Sequence, residues 1–278
     1  MPEGPEIRKV ADRVEAAVVA TPLQEVFFAF DHLKNYQAEL QKAVVQAIDT
    51  YGKAMVMRFD NGLCVYSHNQ LYGKWLIRNA YNYPKTNRQL RLALHTEKKS
   101  ALLYSASDIE VLNVNQVSSH PFISRLGPDV MHQGTTPEQV QIRACSDKFR
   151  RRGFKNLLLE QSFLAGIGNY LRSEILFVAG IHPLKRPLDC TDAQLRRFSE
   201  AALDIPRQSY RHNGITTDLE LAQQLKLEGQ SRSLYRHWVF NRGGKPCRKC
   251  GSIIIKEVQG RRYYYCPQCQ PETSPTAD

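Results

Sequence analysis

Four cysteines near the C-terminus constrain this chain more than any other feature. Cys247-x-x-Cys250 and Cys266-x-x-Cys269 stand fifteen residues apart. Each pair can form a tight knuckle and four thiolates complete a tetrahedron, so the spacing predicts one structural zinc ion. Four protein ligands leave no open position for chemistry at the metal. Two disulfides are the competing reading, disfavoured in a reducing compartment. Between the pairs, residues 253–258 read as a strand, Gly260 as a turn, and Arg261-Arg262-Tyr263-Tyr264-Tyr265 as the returning strand. Such a hairpin carries Arg261 and Arg262 near its tip, either as a solvated basic surface or as arginines offered to nucleic acid. Cys64, Cys145 and Cys190 are scattered and read as buried or free thiols.

The 278 residues are enough for two modest domains. Ahead of the cysteines, strand-like runs at 23–30, 54–59, 63–67, 75–77, 90–94 and 101–105 suggest a β-sandwich or barrel-like domain. Asp60-Asn61-Gly62 reads as a hairpin turn. A stretch dense in breakers follows, with His120-Pro121, Gly127-Pro128 and Gly134, and suits a linker. Helical signals come next: Thr136-Pro137-Glu138 as a start, then runs at 154–161 and 169–179, the latter closed by Gly180. Thr191-Asp192 opens a further helix expected to end before Pro206, and 215–229 reads as a short helix or a flexible connection. Lysine plus arginine exceed aspartate plus glutamate by 38 − 27 = 11, a surplus that favours polyanionic partners. No run approaches the ~18 apolar residues of a membrane span and no secretory signal is visible, so a cytoplasmic setting without a membrane partner is expected.

The chain opens Met1-Pro2-Glu3-Gly4-Pro5-Glu6. Initiator methionine is generally removed before so small a residue, which would leave the secondary amine of Pro2 as the mature terminus. Pro5 pre-sets a first helical turn, Glu6 suits its dipole, and Ile7, Val10, Val14, Ala17 and Val18 form an apolar stripe. The terminus is therefore expected to be anchored rather than frayed. Farther on, Leu164-Ala165-Gly166-Ile167-Gly168-Asn169-Tyr170 lies between two helical runs, with Asn169 expected to cap the second. That corner reads either as a structural turn or as a phosphate site at a helix N-terminus.

MPEGPE, LAGIGNYLRSEIL and the paired CxxC finger with its arginine, taken in that order, resemble the bacterial formamidopyrimidine-DNA glycosylase/endonuclease VIII family of base-excision repair enzymes. The resemblance spans essentially the whole chain. SHNQLYG at 67–73 and the MPEGPEI opening look like the endonuclease VIII branch, whose members act on oxidised pyrimidines. It implies an α+β multidomain fold: a catalytic β-sandwich with an edge helix (1–118), a linker (119–133), a helix-two-turn-helix domain (134–230), a zinc finger (234–270) and a disordered tail (271–278). Damaged double-stranded DNA is the implied partner of a monomeric enzyme with one structural zinc ion and no organic cofactor, associated with the nucleoid, its DNA held between the domains.

The resemblance also implies roles. Pro2 is the nucleophile at the sugar C1′: a free α-amine titrates near ~7.7–8.0, and a secondary amine yields an iminium whose permanent charge draws electrons from C2′. Glu3 is the proton donor for sugar-ring opening, and Lys53 the donor linked to β-elimination. Without the resemblance, Lys53 reads as a surface lysine at a turn, and Glu6 as a first-turn acid. Arg261 is the finger arginine that grips a phosphate and assists δ-elimination. Gln70, Leu71 and Tyr72 form the wedge that fills the gap left by an everted base, although alone Leu71 and Tyr72 would read as hairpin core. Arg125 and Asn169 are implied backbone contacts. Two alternatives stay open: the same chemistry on oxidised purines, and a zinc-ribbon nucleic-acid-binding protein without activity.

Overall fold

The computed structural model describes residues 2–272. Met1 and most of the tail expected to be disordered therefore lie outside the described residues. The chain divides into two compact units, Met1–Arg125 and Leu126–Asp278.

The N-terminal unit opens with helix α1 (Gly4–Val18), followed by strand β1 (Glu25–Phe28) and the short helix α2 (Tyr36–Leu40). Seven strands follow: β2 (Val45–Tyr51), β3 (Ala54–Phe59), β4 (Leu63–His68), β5 (Lys74–Asn79), β6 (Leu90–His95), β7 (Lys99–Tyr104) and β8 (Asp108–Asn113). They form two antiparallel sheets, ordered β1-β6-β7-β5 and β2-β3-β4-β8. Inward side chains of both sheets, among them Phe28, Met57, Val65, Leu92 and Leu103, make one core with Ala11, Val14 and Val18 of α1. Each buried Val, Leu or Phe is worth about 1.5–3 kcal/mol. The helix contacts β2 and β3 of one sheet and β5 and β7 of the other, closing the side where β2 and β5 are edge strands. Strands β2 and β8 were not foreseen. A bulge between Val45 and Ala47 breaks the alternation in β2, and β8 has only one fully buried residue, Ile109, among polar and half-buried ones.

The C-terminal unit begins with α3 (Pro137–Cys145), whose N-cap Thr136 accepts from Gln139 N at 3.3 Å. After α4 (Phe154–Leu157), α5 (Asn169–Ala179) ends at Gly180, where φ is +68°. Helix α6 (Asp192–Arg211) corrects the expected stop: it runs through Pro206. One missing hydrogen bond is outweighed because Ile205, Pro206 and Ser209 continue the buried face. The helix expected over 154–161 is also shorter. Carbonyls beyond α4 are taken elsewhere, that of Gln161 by Gly127 N (2.9 Å) and that of Phe163 by Arg143 Nε (2.8 Å). The ambiguous 215–229 stretch contains α7 (Leu219–Leu227), capped by Asp218, and α8 (Arg232–Tyr235) precedes the hairpin of β9 (Ile255–Gln259) and β10 (Arg261–Tyr265).

Candidate active site

In the N-terminal unit, Pro2 is half-buried and directly precedes Glu3, the N-cap of α1. Glu3 N donates to Glu6 Oε2 at 3.0 Å, and Ile7 N donates to Glu3 O at 3.0 Å. Glu6 thus closes the start of the helix rather than standing as a free acid. Glu3 is 3% exposed, an unusual burial for a carboxylate. Arg8 ties the helix to the sandwich, donating to Ile48 O at 3.0 Å.

Lys53 occupies the two-residue turn between β2 and β3, where Tyr51 pairs with Ala54. Gly52 takes φ +60° at the first turn position, which glycine enters without strain. Lys53 is 7% exposed, which corrects the surface reading. Its charge, after burial, helps push the His68 imidazole below its ordinary value, while Asp108 pulls it upward. Asp108 is itself raised, by burial first. His68 ends β4 opposite Ala54 and accepts from Gln70 N at 3.1 Å, so it ties the next loop to the end of β4. Its place within SHNQLYG was the only sequence signal for that role.

The loop between β4 and β5 presents Gln70, Leu71 and Tyr72. Leu71 is 61% and Tyr72 70% exposed, so neither is hairpin core. Gln70 holds φ +47°, and its Oε1 accepts from Ser107 Oγ at 3.0 Å. Gly73 leaves no room for a side chain, since a Cβ would lie 2.6 Å from Asn69 O. Arg125 is exposed at the last position of the unit, with Nε donating to Pro121 O at 2.5 Å.

In the C-terminal unit, Asn169 is the first residue of α5 and Gly168 its N-cap, which corrects the expected cap. The Asn169 side chain instead accepts from Arg172 Nη2 at 2.9 Å. Arg172 was missed from sequence, yet it is 2% exposed and joins the start of α5 to the finger hairpin. It also donates to Lys155 O and to Arg262 O (2.9 Å), next to the turn of the finger hairpin. Asn169 and the Arg261-Arg262 backbone are therefore held by one guanidinium, whose rigid fork suits several acceptors at once. The Arg261 and Arg262 side chains themselves are exposed, beside Gly260 at φ +75°.

The four Sγ atoms of Cys247, Cys250, Cys266 and Cys269 lie within 4.8 Å of one another. Three separations are 3.8, 3.5 and 3.4 Å, too long for disulfides and close to the ~3.8 Å edge of a tetrahedron with ~2.3 Å zinc–sulfur bonds. Lys249 N and Cys269 N donate to the Cys247 and Cys266 sulfurs, as donors around a thiolate–metal site do. The four residues fit one structural zinc ion.

Three family models match: the formamidopyrimidine-DNA glycosylase N-terminal domain over residues 1–107, the formamidopyrimidine-DNA glycosylase H2TH domain over 126–220, and the zinc finger found in FPG and IleRS over 244–271. Endonuclease 8 of Salmonella agona (strain SL483) is 49% identical over 271 residues, covering 97% of this chain and all of that one. The Salmonella schwarzengrund (strain CVM19633) protein is 48% identical over the same span. Among solved structures, Lactococcus lactis formamidopyrimidine-DNA glycosylase bound to abasic-site DNA shares the fold, with TM-score 0.79, 20% identity, and 97% and 100% of the two chains covered. Its complex with DNA containing an oxidised pyrimidine matches at TM-score 0.80, with 20% identity and 98% and 100% covered.

Proposed function

The chain belongs to the formamidopyrimidine-DNA glycosylase/endonuclease VIII family, and on that premise we propose how its residues divide the work of a bifunctional base-excision DNA glycosylase and abasic-site lyase. Pro2 attacks C1′ of the damaged nucleotide through its free secondary amine, and the base departs with a proton. The resulting iminium is cationic, so the C2′ proton becomes acidic; its loss expels the 3′-phosphate, and a second elimination expels the 5′-phosphate. Glu3 supplies the proton that opens the sugar ring, and Lys53 the proton exchanges of the first elimination. Burial of Glu3 at 3% exposure beside Pro2 carries this reading, because a desolvated carboxyl next to an amine is suited to proton transfer. Arg261, Asn169 and Arg125 contact phosphates, and Gln70, Leu71 and Tyr72 enter the vacated base step. The zinc ion, when bound to Cys247, Cys250, Cys266 and Cys269, fixes the finger that presents Arg261.

The substrates are oxidised pyrimidines such as thymine glycol, as the resemblance of SHNQLYG at 67–73 and the MPEGPEI opening to the endonuclease VIII branch implies. Among the described residues no helix is long and apolar enough to cross a membrane, and a cytoplasmic, nucleoid-associated site of action belongs to the same proposal. Borohydride trapping on an abasic-site duplex tests the chemistry. A covalent adduct is expected from protein whose intact mass is lower by one methionine, and normal DNA binding without an adduct overturns it. A panel of lesion-bearing duplexes tests the substrate: preference for 8-oxoguanine over thymine glycol would sink that choice.

A further inference from the structure

We propose that Arg88 is the positioning residue for the β4–β5 loop, setting Leu71 and Tyr72 in the geometry that opens a base step. The inference rests on the reading of residues 70–72 as the segment that enters DNA. Arg88 Nη1 donates to Tyr72 O at 2.5 Å from the loop between β5 and β6. Both residues line a groove of about 480 Å³ with Asn87, Gln89, Arg91 and Ser105.

The other side of the loop is already fixed. Gln70 N donates to His68 Nδ1 at 3.1 Å, and Ser107 Oγ donates to Gln70 Oε1 at 3.0 Å. Gly73 N closes the loop by donating to Asn69 O at 2.7 Å, and Arg88 anchors its far side, with Leu71 standing between Arg88's contact and Gln70's. The loop that carries Arg88 is itself pinned: Tyr83 OH lies 2.8 Å from His95 Nε2, and Tyr81 N donates to Ser100 Oγ at 2.9 Å. An exposed leucine and tyrosine gain by collapsing onto the protein, so a wedge needs a backbone that forbids it. Insertion also strips water from the Tyr72 carbonyl, and a charged donor already in place keeps that oxygen satisfied. A loop set before contact loses less freedom when DNA covers it. Arg88 thus acts on the opening of the stack and not on the chemistry that follows.

The test compares single-turnover excision of thymine glycol from a duplex and from a single strand by wild type, R88A, R88K and L71A. Arg88 is exposed, and a melting curve checks that each variant folds. R88A is expected to slow excision from the duplex on the order of tenfold while leaving the single strand, which has no stack to open, at the wild-type rate. A 2-aminopurine beside the lesion should brighten correspondingly more slowly. R88K keeps one charged donor for the single bond that Nη1 makes to Tyr72 O, so its duplex rate should lie between those of R88A and wild type. A wild-type duplex rate in R88A, equal losses on both substrates, or an R88K no faster than R88A overturns the proposal. A wild-type duplex rate in L71A instead removes the wedge itself, and so separates that failure from a failure of Arg88 alone.

Discussion

Glu174 Oε1 accepts a hydrogen bond from the backbone N–H of Val239 at 2.9 Å, joining α5 to the segment that leads into the zinc finger. The same carboxyl accepts from Phe240 N (2.9 Å), Trp238 N (2.8 Å) and the hydroxyl of Thr216. Burial pushes its pKa up and these four donors pull it back. A glutamine here would offer an amide N–H to backbone N–H groups. E174Q is expected to cost about 2–4 kcal/mol, since buried donors would lose their acceptor. A melting temperature lower by roughly 10 °C checks it.

His237 gives acid sensitivity. Burial, with Arg236 and Arg232 adding to it, lowers its pKa to about 3, while the unfolded chain titrates near 6.5. The unfolded state therefore takes up the proton first as pH falls. Stability is full above about 6.5 and declines from there toward 3, by up to about 1.4 kcal/mol per pH unit from this group. Melting temperatures between pH 7.5 and 5 should fall less steeply in H237Q than in wild type.

Zinc removal should act locally. The finger core of Val239, Ile254 and Tyr264 includes Cys247 and Cys266, whereas the sandwich core shares no residue with it. Chelation is expected to abolish amide protection in β9 and β10 while β3 and β7 stay protected in hydrogen exchange. DNA affinity should drop with it, and elemental analysis should find one zinc per chain before treatment.

G73A adds a methyl group where the Asn69 backbone already stands, with O and Cα at 2.6 and 2.7 Å from the new Cβ. The loop must shift, at about 1–3 kcal/mol. The expected readout is slower excision from duplex DNA with intact borohydride trapping on abasic DNA.

Local patterns carried most of the architecture. Gly180 closed α5 where its left-handed φ now stands, and residues 54–59 matched β3 throughout. The failures share a cause. Arg172 and Glu174 look like the solvated side of a helix, yet both are buried because partners of theirs lie 17 to 90 residues away. Lys53 sits in a two-residue turn, a place that reads as exposed on local grounds, and only the folded chain buries it. Pro206 ends helices on local grounds, and only the tertiary face it shares with Ile205 overrides that.

Helix α5 has buried residues on nearly every side, from Tyr170 to Phe177. Leu171, Ile175 and Leu176 belong to the helical core, whereas Arg172, Ser173 and Glu174 bond to the chain around and within the finger. The finger is therefore not a cassette that can be exchanged between proteins. Grafted onto a helix lacking those three polar side chains, it would bind its metal and have nowhere to stand. Any engineered swap has to carry residues 169–179 with it.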